Sequence, residues 1–122
     1  MITVYGIPNC DTVKKARTWL TDQGYTVAFH DLKKQGVPAE LLPAWLAAFG
    51  RERLINRAGT TWRKLDGAAK AAVTDDASAI ALMRAEPSVI KRPVVHWPSG
   101  AWTLGFSAEA FEKSASPAPK AG

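Results

Sequence analysis

The sequence predicts an α/β domain built on a four-stranded mixed sheet, with a helical insertion between a βαβ half and a ββα half. Three observations predict it. The runs "ITVY" and "YTVAFHDL" are apolar and β-branched and are separated by one amphipathic segment. "PVVHW" and "WTLGF" flank the turn "PSGA", and the stretch between the two halves shows helical spacing broken by Pro and Gly. With 122 residues, 47% of them hydrophobic, one compact domain can bury a core without disulfide or metal support.

Each element has its own warrant. Residues 2–5 form a strand that leads into Gly6 and Pro8, both turn formers. From Asp11 to Gln23, Val13, Ala16 and Leu20 recur at helical spacing, and Gly24 supplies a C-terminal stop. Tyr25 to Leu32 is a second strand, and a helix between two strands implies parallel pairing with a right-handed crossover. The insertion covers about residues 38–87. Pro38 suits a first helical turn, while Pro43 would kink that helix or make it start late. "RERLINRAGTTWRKL" is polar and irregular, a surface loop with short helical turns. "TDDASAIALMRAEP" offers Thr74 or Asp75 as N-cap, Ala77, Ile80, Ala81 and Met83 for the packed side, and Pro87 as terminator. An antiparallel hairpin and a helix from Ser107 to about Lys113 complete a domain of residues 1–113. The tail 114–122, "SASPAPKAG", is small and Pro-rich and reads as disordered. The order β-α-β, insertion, β-β-α is thioredoxin-like.

Charge and composition narrow the function classes. The formal charge of +5 invites nucleic acid as a partner, but the longest basic runs are pairs, so no nucleic-acid groove is expected and small anionic ligands account for the surplus. No stretch approaches the roughly 18 consecutive apolar residues of a membrane span, and "MITVYGIPNC" lacks a basic n-region, so the reading is a cytoplasmic protein without membrane partners. One Cys and two separated His, His30 and His96, assemble no metal-ligand pattern, and no metal is expected. Both histidines read as packing or surface residues. Asp75 and Asp76 read as a helix N-terminus, where carboxylates favour the dipole, rather than as an acid/base pair.

The lone Cys10 stands in "GIPNCDTVKKA", where the first strand gives way to the first helix. There its sulfur would meet unpaired backbone N–H groups and the positive end of the helix macrodipole, both favouring thiolate. An ordinary thiol with a pKa of about 8.5 is only ~3% ionised at pH 7, so any lowering raises the fraction of nucleophile. Thr12 could add a hydroxyl hydrogen bond, and Lys14 or Lys15 a charge. The alternative is an inert cysteine in a turn. Val13 excludes a C-x-x-C dithiol, so a disulfide at Cys10 must be resolved by an outside thiol. Far away in sequence, "IKRPVV" sets Arg92 before Pro93, an X-Pro bond that is a candidate for cis geometry.

In order and spacing, "YGIPNCDTVKKA", "NRAGTTWRKLD", "TDDASAIALM" and "IKRPVV" resemble the arsenate reductase (ArsC) family, most of all its YffB-like branch, which is related to Spx-type regulators. The resemblance covers about residues 2–113. It implies a thioredoxin-like fold whose cysteine loop faces the Arg92-Pro93 turn, with a cleft between them and the insertion. It also implies Cys10 as nucleophile, with Asn9, Thr12, Arg57, Arg92 and Pro93 on the substrate side; Arg63 is the reserve for Arg57. The expected activity is a glutathione-dependent thiol reductase, working as a monomer with glutathione as co-substrate. Its partners would be glutathione or a glutathionylated substrate, and glutaredoxin. Arsenate reduction coupled to glutathione and glutaredoxin is the alternative within the family, and an Spx-like protein that binds RNA polymerase is the alternative outside catalysis. A third family arginine is replaced by Phe106, which removes a bidentate oxyanion donor and disfavours arsenate. Glutathione carboxylates could instead meet Arg57 or Arg92, Trp62 could line the cleft, and the backbone beside Pro93 could pair with an extended peptide.

Overall fold

The computed structural model describes residues 1–115. The chain divides into two compact units. One is Met1–Asp31 together with residues 92–115; the other is Leu32–Lys91, somewhat wider than the expected insertion of 38–87.

The first unit is a four-stranded sheet with two helices. Strands β1 (Ile2–Gly6), β2 (Val27–Asp31), β3 (Val94–His96) and β4 (Trp102–Leu104) lie in the order β2-β1-β3-β4. Along β1 the residues alternate, Ile2, Val4 and Gly6 being buried and Thr3 and Tyr5 half-buried, as a pleated strand with one core face requires. It pairs parallel with β2, from Ile2 opposite Val27 to Gly6 opposite Asp31, and antiparallel with β3, which pairs antiparallel with β4. This is the thioredoxin-like arrangement expected.

Helix α1 (Asp11–Asp22) buries Val13, Ala16 and Leu20. It ends in a Schellman motif: the Gly24 N–H donates to Thr21 O at 2.9 Å and the Tyr25 N–H to Leu20 O at 3.0 Å, with Gly24 at φ 84°. At the other end of the helix, a Cβ on Gly6 would lie 2.8 Å from Val13 Cγ2, so β1 and the first turn of α1 approach as closely as glycine permits. After the hairpin, α7 (Ala108–Ala115) is capped by Ser107, whose Oγ accepts from the Ala110 N–H at 3.0 Å. It runs two residues past the expected end, taking Ser114 and Ala115 out of the expected tail, whose remainder lies outside the described residues. Phe111 of α7 is the hub of the core: Trp19, Trp97 and Phe106 meet its ring edge-on, at 5.6, 5.0 and 4.9 Å between centroids. The two histidines lie in ring contacts on the sheet, His30 with Tyr5 and His96 with Trp102.

The second unit is helical: α2 (Leu42–Phe49), α3 (Arg51–Leu54), α4 (Thr60–Lys64), α5 (Gly67–Ala71) and α6 (Asp76–Ala85). Pro43 delays rather than kinks. A 3-10 turn, Ala39–Leu41, precedes α2, and the proline falls in its first turn, where a missing N–H costs nothing. Asp75 is the N-cap of α6 in a reciprocal capping box with Ser78, which holds its carboxyl below the ordinary carboxylate value, mainly through the Ser78 N–H. The buried stripe of α6 is Ala79 and Met83, with Ile80 half-buried; Ala77 and Ala81, expected on the packed side, are exposed. Residues four apart share a face, and the expected Ala77 and Ala81 stand two positions from the buried Ala79 and Met83, on the opposite side of the helix. The buried set here also includes Leu42, Trp45, Leu46, Leu54, Ile55, Val89 and Ile90.

Candidate active site

Cys10 is the N-cap of α1. Its backbone is extended, with φ −140° and ψ 122°, and its carbonyl accepts the first helical bond from the Lys14 N–H at 2.9 Å. Ser, Thr, Asp and Asn are the residues that favour this position, because their oxygen accepts from the exposed N–H groups. Here the side chain closes no capping hydrogen bond. The sulfur nevertheless stands where those groups act on it. Partial burial pushes its pKa up, but the Val13 N–H, the Arg92 guanidinium through both a hydrogen bond and its charge, and the Thr12 N–H outweigh that, so the thiol lies below its ordinary value.

Arg92 reaches the sulfur from the start of the third strand. The Arg92-Pro93 peptide is cis, Pro93 is buried, and its carbonyl accepts from the Gly105 N–H at 2.9 Å. Both edges of β3 are occupied, since it lies between β1 and β4, and the Pro93 carbonyl is used by the chain after β4.

Of the sequence-predicted residues, the first unit thus brings together Cys10, Thr12, Arg92 and Pro93, with Asn9 exposed directly ahead of the cysteine. Two details differ from expectation. Thr12 contributes its backbone N–H rather than its hydroxyl, and neither Lys14 nor Lys15 contributes to lowering the thiol; both are exposed on α1. Arg57 belongs to the second unit, exposed, with its guanidinium 5.3 Å from the Trp62 ring centre in cation–π geometry. Arg63 is exposed in the last turn of α4. Gly59 makes the turn ahead of α4, its N–H donating to Asn56 O at 3.1 Å, and a Cβ there would strike the Asn56 side chain at 2.9 Å.

Sequence reasoning missed two contributors. Val13 reads as a core residue, yet its N–H is among the groups that lower the thiol pKa. Gly6 reads as a turn former, yet it is what lets Val13 sit so close to β1. Among the described residues, no three His, Cys, Asp or Glu side chains gather closely enough to share a metal ion, and no helix is long and apolar enough to cross a membrane.

Comparison with known proteins agrees with this architecture. An uncharacterized protein of Haemophilus influenzae is 38% identical over 112 residues, spanning 92% of this chain and 96% of its own. Among solved structures, the YffB protein is 47% identical with a TM-score of 0.87, covering 93% of this chain and 98% of its own. An arsenate reductase (ArsC) related protein from Brucella melitensis is also 47% identical, with a TM-score of 0.70 and 92% of each chain covered. The ArsC family matches residues 5–114, taking in the cysteine turn, the helical unit and the Arg92-Pro93 junction, and the chain belongs to that family.

Proposed function

We propose that this protein is a thiol oxidoreductase in which Cys10 exchanges disulfides with glutathione. The observation that carries the reading is the convergence of the Val13 and Thr12 N–H groups and the Arg92 guanidinium on one partly exposed sulfur. Such surroundings hold a cysteine as thiolate, the form that attacks.

In the proposed cycle the Cys10 thiolate attacks the glutathione sulfur of a glutathionylated substrate. The substrate leaves as a thiolate and takes up a proton, and Cys10 is left in a mixed disulfide. A glutathione thiolate then attacks the glutathione sulfur of that adduct, releasing glutathione disulfide and restoring the Cys10 thiolate. One disulfide is consumed and one is formed, so electrons balance. Position 13 is Val, so the second thiol comes from outside. Arg92 acts twice, stabilising the sulfur anion as nucleophile and again as leaving group. Glutaredoxin is an alternative source of the second thiol, and the working form is a monomer.

Arsenate, the substrate in the name of the Brucella relative, is less favoured. Phe106 presents an apolar ring rather than a guanidinium, and an oxyanion gains nothing from it.

The test is incubation with glutathione disulfide followed by intact mass, together with alkylation of Cys10 across pH. A single glutathione adduct on Cys10 and an alkylation midpoint below that of a free thiol are expected. No adduct and an ordinary midpoint would refute the reading.

A further inference from the structure

A groove of about 410 Å³ runs along α1, lined by Lys14, Lys15, Thr18, Trp19, Asp22 and Phe106. Its form follows from helix geometry. Lys14, Thr18 and Asp22 are spaced by four, as are Lys15 and Trp19, so they make two adjacent columns along one face. Four residues advance about 6 Å along the axis, so the groove opens roughly one turn beyond Cys10 and leads away from it. Its floor is preformed: Trp19 and Phe106 both stand edge-on to the buried Phe111, at 5.6 and 4.9 Å between centroids, and cannot fold away without disturbing the core. Two ammonium groups flank the end nearer the sulfur, and a carboxylate the far end.

We infer that this groove receives the polypeptide flank of a protein disulfide partner: acidic residues next to the exchanging sulfur, then an apolar side chain laid on Trp19 and Phe106. The inference rests on the disulfide-exchange reading of Cys10 and adds to it a partner class. Glutathione supplies a sulfur and carboxylates but no apolar side chain, so it leaves the Trp19 and Phe106 floor unused. A polypeptide uses both features. Charge complementarity selects acid near Lys14 and Lys15, and Asp22 disfavours a further acid at the distal end.

The test uses three synthetic peptides, Cys-Gly-Glu-Glu-Phe, Cys-Gly-Lys-Lys-Phe and Cys-Gly-Glu-Glu-Ser, and glutathione, each activated as its 2-thiopyridyl disulfide. The Cys10 thiolate attacks the peptide or glutathione sulfur, a new disulfide forms, the bond to the thiopyridyl sulfur breaks, and thiopyridone is released and counted. At low ionic strength the acidic Phe peptide is expected to react about fivefold faster than the basic one, the scale of exposed charge pairs, and to outpace the Ser peptide by up to about tenfold. Lys15→Glu, which leaves the flank with one ammonium and one carboxylate, should erase the charge preference. Thr18→Arg, an exposed change that obstructs the groove, should erase the Phe advantage while leaving the glutathione disulfide rate unchanged. Equal rates for all three peptides on a protein that still reacts with the glutathione disulfide would overturn the groove assignment alone. Failure of Cys10 to react with any of the four would overturn the thiol reading and the groove with it.

Discussion

The two units of this molecule manage polar groups in opposite ways. The helical unit holds ten of the sixteen Lys and Arg but only six of the eleven Asp and Glu, so four of the five surplus positive charges are there. Its arginines are spread over short helices and turns: Arg51 lies 3.5 Å from Asp76 and donates to Thr74 O at 3.0 Å, and Arg53 and Arg57 lie over aromatic rings. The sheet unit is nearly balanced in charge. It directs two backbone N–H groups and one guanidinium at a single atom, the Cys10 sulfur. Directed dipoles on a partly desolvated atom act at short range, whereas dispersed surface charge is screened within about 10 Å at ordinary salt. Net charge is therefore a poor guide to where the chemistry is.

Breaking the focus of the sheet unit should have the largest effect. Cys10→Ser is expected to abolish glutathione adduct formation and every activity that depends on it, read by intact mass. It should not unfold the protein, because serine is the better N-cap and should leave stability equal or raise it by up to about 1 kcal/mol. The two proteins should also differ in pH dependence. A folded thiol pKa below the ordinary thiol value contributes stability that is fully present above the unfolded pKa and is lost as pH falls through the folded pKa. Denaturation midpoints of the wild type should therefore rise relative to Cys10→Ser as pH approaches the ordinary thiol pKa from the acid side.

The second comparison sets one arginine of each unit side by side. Arg92→Ala should raise the thiol pKa and slow alkylation at neutral pH several-fold, with Arg92→Lys restoring part of the rate. Arg57→Ala should leave the alkylation profile where it is, because that guanidinium lies over the Trp62 ring and is not among the groups that lower the thiol pKa. A shift of the thiol titration by Arg57→Ala would show that the helical unit shares in focusing charge on the sulfur.

Smaller effects come from the supports. Gly6→Ala must displace Val13 from a 2.8 Å approach and is expected to cost about 1–3 kcal/mol in denaturation. It should also move the thiol midpoint upward, because it disturbs an N–H that lowers the pKa. Its counterpart in the helical unit, Asp75→Ala, should lower the midpoint of denaturation slightly and leave the thiol titration untouched. The carboxyl of Asp75 is held below its ordinary value, so this difference should fade as the pH falls through the folded carboxyl pKa.

Much of the fold was legible because strands alternate and helices repeat every three to four residues. Val13, Ala16 and Leu20 announce α1, and β1 to β4 follow their apolar runs. Cys10 was legible as a site because a thiol in a polar turn before a helix has no packing reason to be there. The rest depended on phase and distance. Whether Thr12 offers its hydroxyl or its N–H turns on one residue of helix start, and the choice of Ala79 over Ala77 and Ala81 as the buried alanine of α6 turns on a phase of two. The groove was invisible because Trp19 and Phe106 are brought together through Phe111, and no spacing rule links residues so far apart in the chain.

Placing a thiol, rather than a hydroxyl, at the N-cap of α1 also bears on the lifetime of whatever becomes attached to it. The groups that lower the Cys10 pKa act on the free sulfur, lose their purpose once it is bonded, and regain it only on release. A sulfur with a low pKa departs readily, so the adduct is the less stable partner and incoming thiols displace it quickly. If Cys10 exchanges disulfides as proposed, the protein would rest in its reduced form and act as a carrier that hands on its cargo rather than a store that keeps it.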